Sequence, residues 1–340
     1  MIKYFTKSFL LLLVSVVICC IIYPLGLWAV GQIFFPFQAN GSMLKGPDGK
    51  VVGSRLIAQP FTKDEYFQPR PSAASYDASA SASSTLAPSN YALRDRVARM
   101  IGPIAMYKNG HRAGQAVALD VENWFGKDMY KGKPQIVAQW ADMHNLLAQA
   151  WVNADPKNTK YVEDWEKTHP ALVAKWIKDN PVTPKPKASD LAVVFFESFS
   201  TENPGKFPSA VTKKGADGKD VTIIEPVNTG TDIQSIFFDM WRQEHPDVQL
   251  QDIPGDLVTA SASGLDPHIT LQNAQFQLDR VVTKWAANLK RDPNDVGKEI
   301  EQIVQENASA PWNGIIGEKY INVLEVNLAL CKKYGMPPMQ

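Results

Sequence analysis

FLLLLVSVVICCIIYPLGLWAV, residues 9–30, lies inside a run from Ser8 to Leu44 that holds no charged side chain and no histidine. Those 22 residues would rise about 33 Å as a helix, enough to cross the hydrocarbon core of a bilayer. Fourteen of them are Leu, Ile, Val or Phe, worth on the order of −4 to −8 kcal/mol of apparent insertion energy. That outweighs Ser15, Pro24 and Gly26. Lys3 and Lys7 precede the run and only Lys45 follows closely, so the positive-inside rule puts the N-terminus in the cytoplasm and the remainder outside. A cleaved signal peptide is the alternative, but the run overshoots the roughly 7–15 residues of an h-region and ends in no A-x-A-like site. One anchor is expected.

The chain has 340 residues and is evenly charged, 35 basic against 35 acidic, which points away from nucleic acid as a partner. Cys19 and Cys20 fall in the apolar run, leaving Cys331 alone outside it, so stability must come from packing rather than disulfides. Six of the nine tryptophans lie between residues 124 and 241, which hints at a separate core there.

Beyond the span, Phe34, Phe35 and Phe37 suit a membrane interface, and Gln38, Asn40, Gly41 and Ser42 form a membrane-proximal turn. A hairpin is expected from Ser42–Leu44, a turn at Gly46–Gly49 and a strand Val51–Ala58, with Gly53 marking a bulge or close approach. The Ser/Ala-rich stretch from Ser72 to Ser89 would be a linker unless the domain held it down. A helix from Ala92 ends the first part of the domain. The middle then reads as one helix over Gln135–Asn153, with Ile136, Trp140, Met143, Leu147 and Trp151 as its stripe. Further helices are expected near Tyr161–Trp165, after Pro170 and over Ile233–Gln243. Leu191–Phe199 reads as a buried strand, Gly215–Gly218 as a turn and Val221–Ile224 as β-rich.

In the last ninety residues, Asp266 and Pro267 read as N-cap and N1 of a helix buried through Ala274, Leu278, Val281, Trp285 and Leu289. Asp292-Pro293 repeats the device, with Val296, Ile300, Ile303 and Val304 inward. Tyr320–Leu330 reads as a closing strand through the alternation of Leu324, Val326, Leu328 and Leu330.

Several blocks together resemble one family, the C subunit of the Kdp-type potassium-transporting P-type ATPase. They are Phe35–Ser42, Gly53–Gln59, Tyr66–Ala74, Asp256–Ile269 with Gln277 and Arg280, and Gly317–Asn327. They cover roughly residues 1–101 and 250–331. The chain departs in carrying Ser75–Ser84 where the family has a Gly-rich segment, and about 150 extra residues after Ile101. The resemblance implies an accessory subunit in the bacterial plasma membrane whose partners are the potassium-conducting and ATP-hydrolysing subunits and the lipid bilayer. Potassium and ATP with magnesium would be used by the complex, with no cofactor held directly by this chain. It also implies a possible nucleotide link for Gln277 and Arg280, which an exported domain would face no ATP to use.

The residues carry no catalytic constellation. One span without a selectivity filter builds no pore, Asn228–Thr231 lacks the aspartate of a phosphorylation motif, and no phosphate-binding loop occurs. Ser261, Ser263, Gly264, Asp266, Pro267 and His268 read as a structural or docking loop, since a cap, a turn and local serine bonds explain them. His111, His144, His169 and His245 show no metal-like pairing, so no metal site is expected.

The expected architecture is α+β: a cytoplasmic N-terminus and transmembrane helix (1–34), an exported mixed α/β domain (35–101 and 250–340), and a Trp-rich, mostly helical inserted subdomain (102–249). The expected function is a non-catalytic accessory subunit of a high-affinity potassium uptake pump, with a free-standing membrane-anchored binding protein as the alternative.

Overall fold

The computed structural model describes residues 2–215, 218–315 and 317–335. The chain is a mixture of helix and sheet that divides into two compact units, Met1–Thr85 with Ile253–Gln340, and Leu86–Asp252. Each has its own core. The first draws on residues from Leu44 to Phe67 and from Ile269 to Tyr334, the second on residues from Ala98 to Leu250.

The first unit opens with α1 (Ile2–Val17), a π-helical turn (Ile18–Ile22) and α2 (Tyr23–Phe34). Pro24 has no N–H to offer, and in an α-helix its ring would strike the carbonyl of Cys20. The wider turn, in which the Tyr23 N–H donates to the Ile18 carbonyl, accommodates the ring. From Lys3 to Phe34 the helix is 32 residues long, and by length and composition it could cross a membrane. Its apolar side chains are exposed along that length.

A short helix α3 (Pro36–Ala39) then leads to a hairpin of β1 (Met43–Lys45) and β2 (Val51–Ser54). The second strand stops at Ser54, short of the Ala58 expected, because the N–H groups of Leu56 and Ile57 turn back onto Ser54 and Ala58 N–H pairs with the Leu265 carbonyl. The register slips between Leu44 and Lys45, and a Cβ on Gly53 would come within 2.7 Å of Gln59 Oε1. Both the bulge and the close approach are therefore present.

In the second unit α4 (Tyr91–Ile101) packs against α11 (Thr231–Glu244), and Arg94 bonds both carboxylate oxygens of Asp239 at 2.8 and 3.0 Å. A Cβ on Gly102 would lie 2.0 Å from the Gln234 carbonyl oxygen, so glycine is required there. Helix α4 thus belongs with the middle of the chain, not with the first part of the domain as its position had implied. Between these helices come α5 (Ala118–Phe125), a small ladder of β3 (Met129–Tyr130) and β4 (Lys133–Pro134), α6 (Ile136–Met143) and α7 (Asn145–Ala154). Then follow α8 (Pro156–Thr168), α9 (Pro170–Asp179), α10 (Ala192–Glu202), β5 (Phe207–Lys214) and β6 (Asp220–Val227). Trp140 sits among the rings of Phe196, Phe207 and Phe237, with centroids 5.2, 5.6 and 6.0 Å away.

Two expectations fail here, and a strand that had not been expected is added. The helix over Gln135–Asn153 breaks at His144, whose φ of −127° is not helical, and Met143 is left exposed. Leu191–Phe199 is helix rather than strand: α10 buries Ala192, Phe195, Phe196 and Phe199, a three-four spacing hidden in a run apolar on nearly every side. The polar residues before the predicted turn are strand β5, paired with β6 from Phe207↔Val227 to Lys214↔Asp220. Gly218 N–H closes that turn on the Gly215 carbonyl, while Ala216 and Asp217 lie outside the described residues.

The chain returns to the first unit through α12 (Gly255–Val258), β7 (His268–Thr270), α13 (Leu271–Leu289), α14 (Pro293–Glu306), β8 (Tyr320–Asn322) and α15 (Val323–Tyr334). Asp292 caps α14 by accepting from Asn294 N–H, and Val296, Ile300, Ile303 and Val304 are buried as expected. Asp266 is not a helix cap. Helix α13 starts later, and Thr270 caps it by accepting from Asn273 N–H. The closing strand is only three residues long; Asn322 then caps α15, which buries Val323, Leu324, Val326, Asn327, Leu330 and Cys331. Strands β7 and β8 pair antiparallel, and each ends in the N-cap of the helix that follows, Thr270 for α13 and Asn322 for α15.

Candidate docking loop and the clamp beside it

The residues singled out from Ser261 to Pro267 lie in the loop between α12 and β7, and His268 is the first residue of β7. Gly264 has φ +71°, and a Cβ there would meet the Ala82 carbonyl oxygen at 2.6 Å. Only glycine fits both the left-handed backbone and the space. Ser261 is buried, and its hydroxyl accepts from Asp266 N–H at 3.4 Å; the Ser263 hydroxyl accepts from Leu265 N–H at 3.1 Å. Asp266 makes an Asx turn: its Oδ1 accepts from His268 N–H at 3.1 Å and faces His268 Nδ1 at 2.9 Å. Bonding to the His268 ring holds the Asp266 carboxyl below its ordinary range, against the opposing effect of partial burial. The ring of His268 stands edge-on to Tyr320, and the Pro267 carbonyl accepts from Val323 N–H.

The Ser/Ala-rich stretch is laid along this loop rather than left as a linker. Ser72 Oγ donates to the Gly264 carbonyl, Ala82 N–H and Ser81 Oγ both donate to the Ser263 carbonyl, and Arg70 donates to the carbonyls of Thr259 and Ala260. Ser72 Oγ also accepts from the N–H groups of Ala74 and Tyr76, and the Tyr76 hydroxyl returns to the Arg70 carbonyl. Two carbonyls of the loop, at Ser263 and Gly264, are thereby turned inward.

Gln277 and Arg280 lie apart from the loop, on the buried side of α13, and grip the chain just before Arg70. Gln277 is 4% exposed; its Oε1 accepts from Gln68 N–H at 2.8 Å, and its Nε2 donates to the Gln68 carbonyl at 3.0 Å and to Asn273 Oδ1 at 2.8 Å. Arg280 donates to the carbonyls of Asp64 and Tyr66 and to Gln277 Oε1. Burial pulls its guanidinium below its ordinary pKa. Trp285 Nε1 takes the Glu65 carbonyl at 2.7 Å, and Asn327 takes both Phe67 N–H and Phe67 C=O at 2.9 Å. The carbonyls of residues 64–68 and the N–H groups of Phe67 and Gln68 are paired by side chains of α13 and α15, which do the work of a neighbouring strand. Burying Phe67 completely contributes about 1.5–3 kcal/mol to holding it there.

Asn327, Trp285, Arg70 and Ser72 were not singled out in the sequence as site residues. The available signal was a polar residue at a buried position: Asn327 stands between Val326 and Leu328.

The turn after α2 is equally tied. Asn40 and Gln32 bond amide to amide, Ser42 N–H reaches the Phe37 carbonyl at 2.9 Å, and the Gly41 carbonyl accepts from Ser54 Oγ at 2.7 Å. Gln38 is exposed and uses its carbonyl to accept from Gly41 N–H. Gly41 has φ +82° and buried Ser42 φ +51°.

A family described as "KdpC: K+-transporting ATPase, c chain" matches residues 5–123 and 232–332, well over half of the chain. The match reaches past the limits of 101 and 250 and takes in α4 and most of α5 and α11. The Potassium-transporting ATPase KdpC subunit of Pseudomonas aeruginosa PAO1 is 48% identical over 99 residues, 29% of this chain and 54% of that protein. That of Mycobacterium bovis BCG Pasteur is 50% identical over 93 residues, 27% of this chain and 49% of that protein. Against these two relatives the chain spans about half of the relative's length. The Clostridium kluyveri subunit is 25% identical over 334 residues, 98% of this chain and 96% of that protein, so its alignment runs through the stretch 124–231 that the family match omits.

Proposed function

This chain belongs to the KdpC family of K+-transporting ATPase subunits, and from that premise we propose that it is a non-catalytic accessory subunit of a potassium uptake pump. It would join the potassium-conducting and ATP-hydrolysing subunits, stabilise their complex and tune its apparent potassium affinity. Helix α1–α2 would be its single membrane span, with Lys3 and Lys7 on the cytoplasmic side and the folded units outside. Potassium, ATP and magnesium would be handled by the partner subunits.

The observation that supports this reading is the construction of the Ser261–His268 loop. Its hydroxyls, its carboxylate and two of its carbonyls bond within the domain, which fixes the loop's shape before any partner arrives. A preformed surface loses little entropy on docking. The geometry gives Gln277 a post inside the fold, where its amide already bonds Gln68 and Asn273.

The test is co-purification of the tagged chain with the pump, followed by ATP hydrolysis per assembled complex across a potassium titration. Loss of the chain should destabilise the complex or raise the potassium concentration for half-maximal activity. Recovery of the chain from native membranes without large membrane partners would count against the proposal. A periplasm-active reporter fused after Leu330 tests the orientation.

A further inference from the structure

The hairpin that follows the long helix is fixed at the level of that helix's last turns. Gln32 and Asn40 exchange amide bonds at 3.2 and 3.5 Å, and a Cβ on Gly31 would lie 3.5 Å from Ala39 Cβ. From Asn40 the chain passes through Gly41 and buried Ser42 into β1, and β2 is tied back by Ser54 Oγ on the Gly41 carbonyl and Arg55 N–H on the Ser42 carbonyl. The β1–β2 ladder therefore starts beside Gly31 and Gln32.

Its outer side carries Met43 and Val51 together with Lys45 and Ser54, and further apolar side chains are exposed in the segments that flank the strands. Phe35, Phe37, Met43, Val51 and Leu56 are 57, 42, 47, 53 and 62% exposed. Met43 and Lys45 flank Leu44, whose side chain packs on the core, so they share the opposite strand face, and Val51 pairs across from Lys45. Lys45, Lys50 and Arg55 supply positive charge beside these apolar side chains, although Lys50 also lies 3.9 Å from Asp48 and Arg55 pairs with Glu325.

Length sets the depth. From Lys7 to Gln32 the helix rises about 38 Å, against about 40–45 Å for a bilayer with its headgroup layers. If Lys7 lies at one surface, Gly31 and Gln32 lie within the headgroup layer of the other. We infer that the α3 turn and the outer face of the β1–β2 hairpin are a lipid-binding surface. Their apolar side chains enter the headgroup–acyl boundary of the leaflet opposite Lys3 and Lys7, and Lys45 and Lys50 face lipid phosphates. This rests on reading Lys3–Phe34 as a membrane span. It adds that the start of the folded domain is seated in the lipid surface instead of standing clear on a stalk.

The experiment uses the full chain, with Cys19 and Cys20 replaced by alanine, in vesicles of phosphatidylcholine and phosphatidylglycerol. Cys331 is buried, and burial pushes its thiol up, so it should stay unlabelled. Nitroxides at M43C and L56C are compared with V182C, which is exposed in the second unit, and with L12C in the span. Collision with dissolved oxygen relative to an aqueous nickel chelate should be severalfold higher at positions 43 and 56 than at 182. Ratios at 43 and 56 equal to that at 182, with position 12 deep in lipid, would overturn the surface while leaving the span. An aqueous ratio at position 12 as well would overturn both. Labels shielded from both reagents would overturn it in favour of a contact between copies of the chain.

Discussion

The side-chain amide of Gln277 bonds both the N–H and the C=O of Gln68, at 2.8 and 3.0 Å, across 209 residues of sequence. Asn327 does the same for Phe67 from another helix. Two adjacent residues of an irregular segment are thus paired as if by a strand, and the segment leads directly to Arg70 and Ser72, which hold the candidate docking loop.

Removing either clamp should destabilise the first unit. Asn327→Ala strands the buried N–H and C=O of Phe67, at about 1–3 kcal/mol for each group. Gln277→Ala should act in the same direction on Gln68. Thermal melting of the detergent-purified chain reads both changes. A Gln277→Ala chain that melts normally yet alters the pump's apparent ATP affinity would replace the structural role with a nucleotide-linked one.

Gly264→Ala should loosen the loop, since the left-handed backbone alone costs about 1–2 kcal/mol with a Cβ present. The added methyl also meets the Ala82 carbonyl oxygen at 2.6 Å. Hydrogen exchange should quicken at the Ala82 and Tyr76 amides, which the intact loop and Ser72 protect. Unchanged exchange at both would show that the loop tolerates the methyl.

Asp266 gives the fold a pH dependence of defined sign. Its folded pKa is lowered, so its contribution is present above its unfolded pKa, near 3.9, and fades as pH falls through the folded value. Asp266→Asn should lower melting at neutral pH and flatten the loss of stability below about pH 4. Thr270→Ala, which removes the cap of α13 and the hydroxyl that donates to Asp256 Oδ1 at 3.1 Å, should cost about 0.5–2 kcal/mol at neutral pH. A pH profile for Asp266→Asn that runs parallel to that of the unaltered chain would contradict the assignment.

Replacing residues 86–252 with a short flexible linker should leave the first unit folded. Its core takes no residue from that stretch, and Ala82 N–H on the Ser263 carbonyl brings the flanking segments together. Loop closure changes by only about 0.6 kcal/mol per doubling of length. Cutting at 102 and 249 should do worse, because it leaves α4 without α11, against which it packs. Fluorescence from buried Trp285 and a cooperative melt would report the outcome; loss of both in the 86–252 deletion would show that the two units fold together.

Much of this molecule could be read along the chain. The long N-terminal helix follows from a run of twenty-two residues without a charge, and α13 and α14 follow from stripes with one polar side. The cap at Asp292 follows from Asp-Pro before such a stripe. In each case the pattern is local and its period is unambiguous. Leu191–Phe199 and Val323–Leu330 are different, because apolar side chains on most faces erase the period that separates helix from strand. Only packing resolves them: α10 against Trp140 through Phe196, and α15 with Leu324 at Gly53. Asp266-Pro267 has the same local signature as Asp292-Pro293, yet pairing of His268 with Asn322 in the β7–β8 ladder keeps the chain extended for three more residues. The placement of α4 with α11 and the grip of Gln277 and Asn327 on Gln68 and Phe67 join residues more than a hundred positions apart. No local propensity encodes such pairs; they exist because burying Phe67 and its neighbours obliges the fold to supply partners for their backbone.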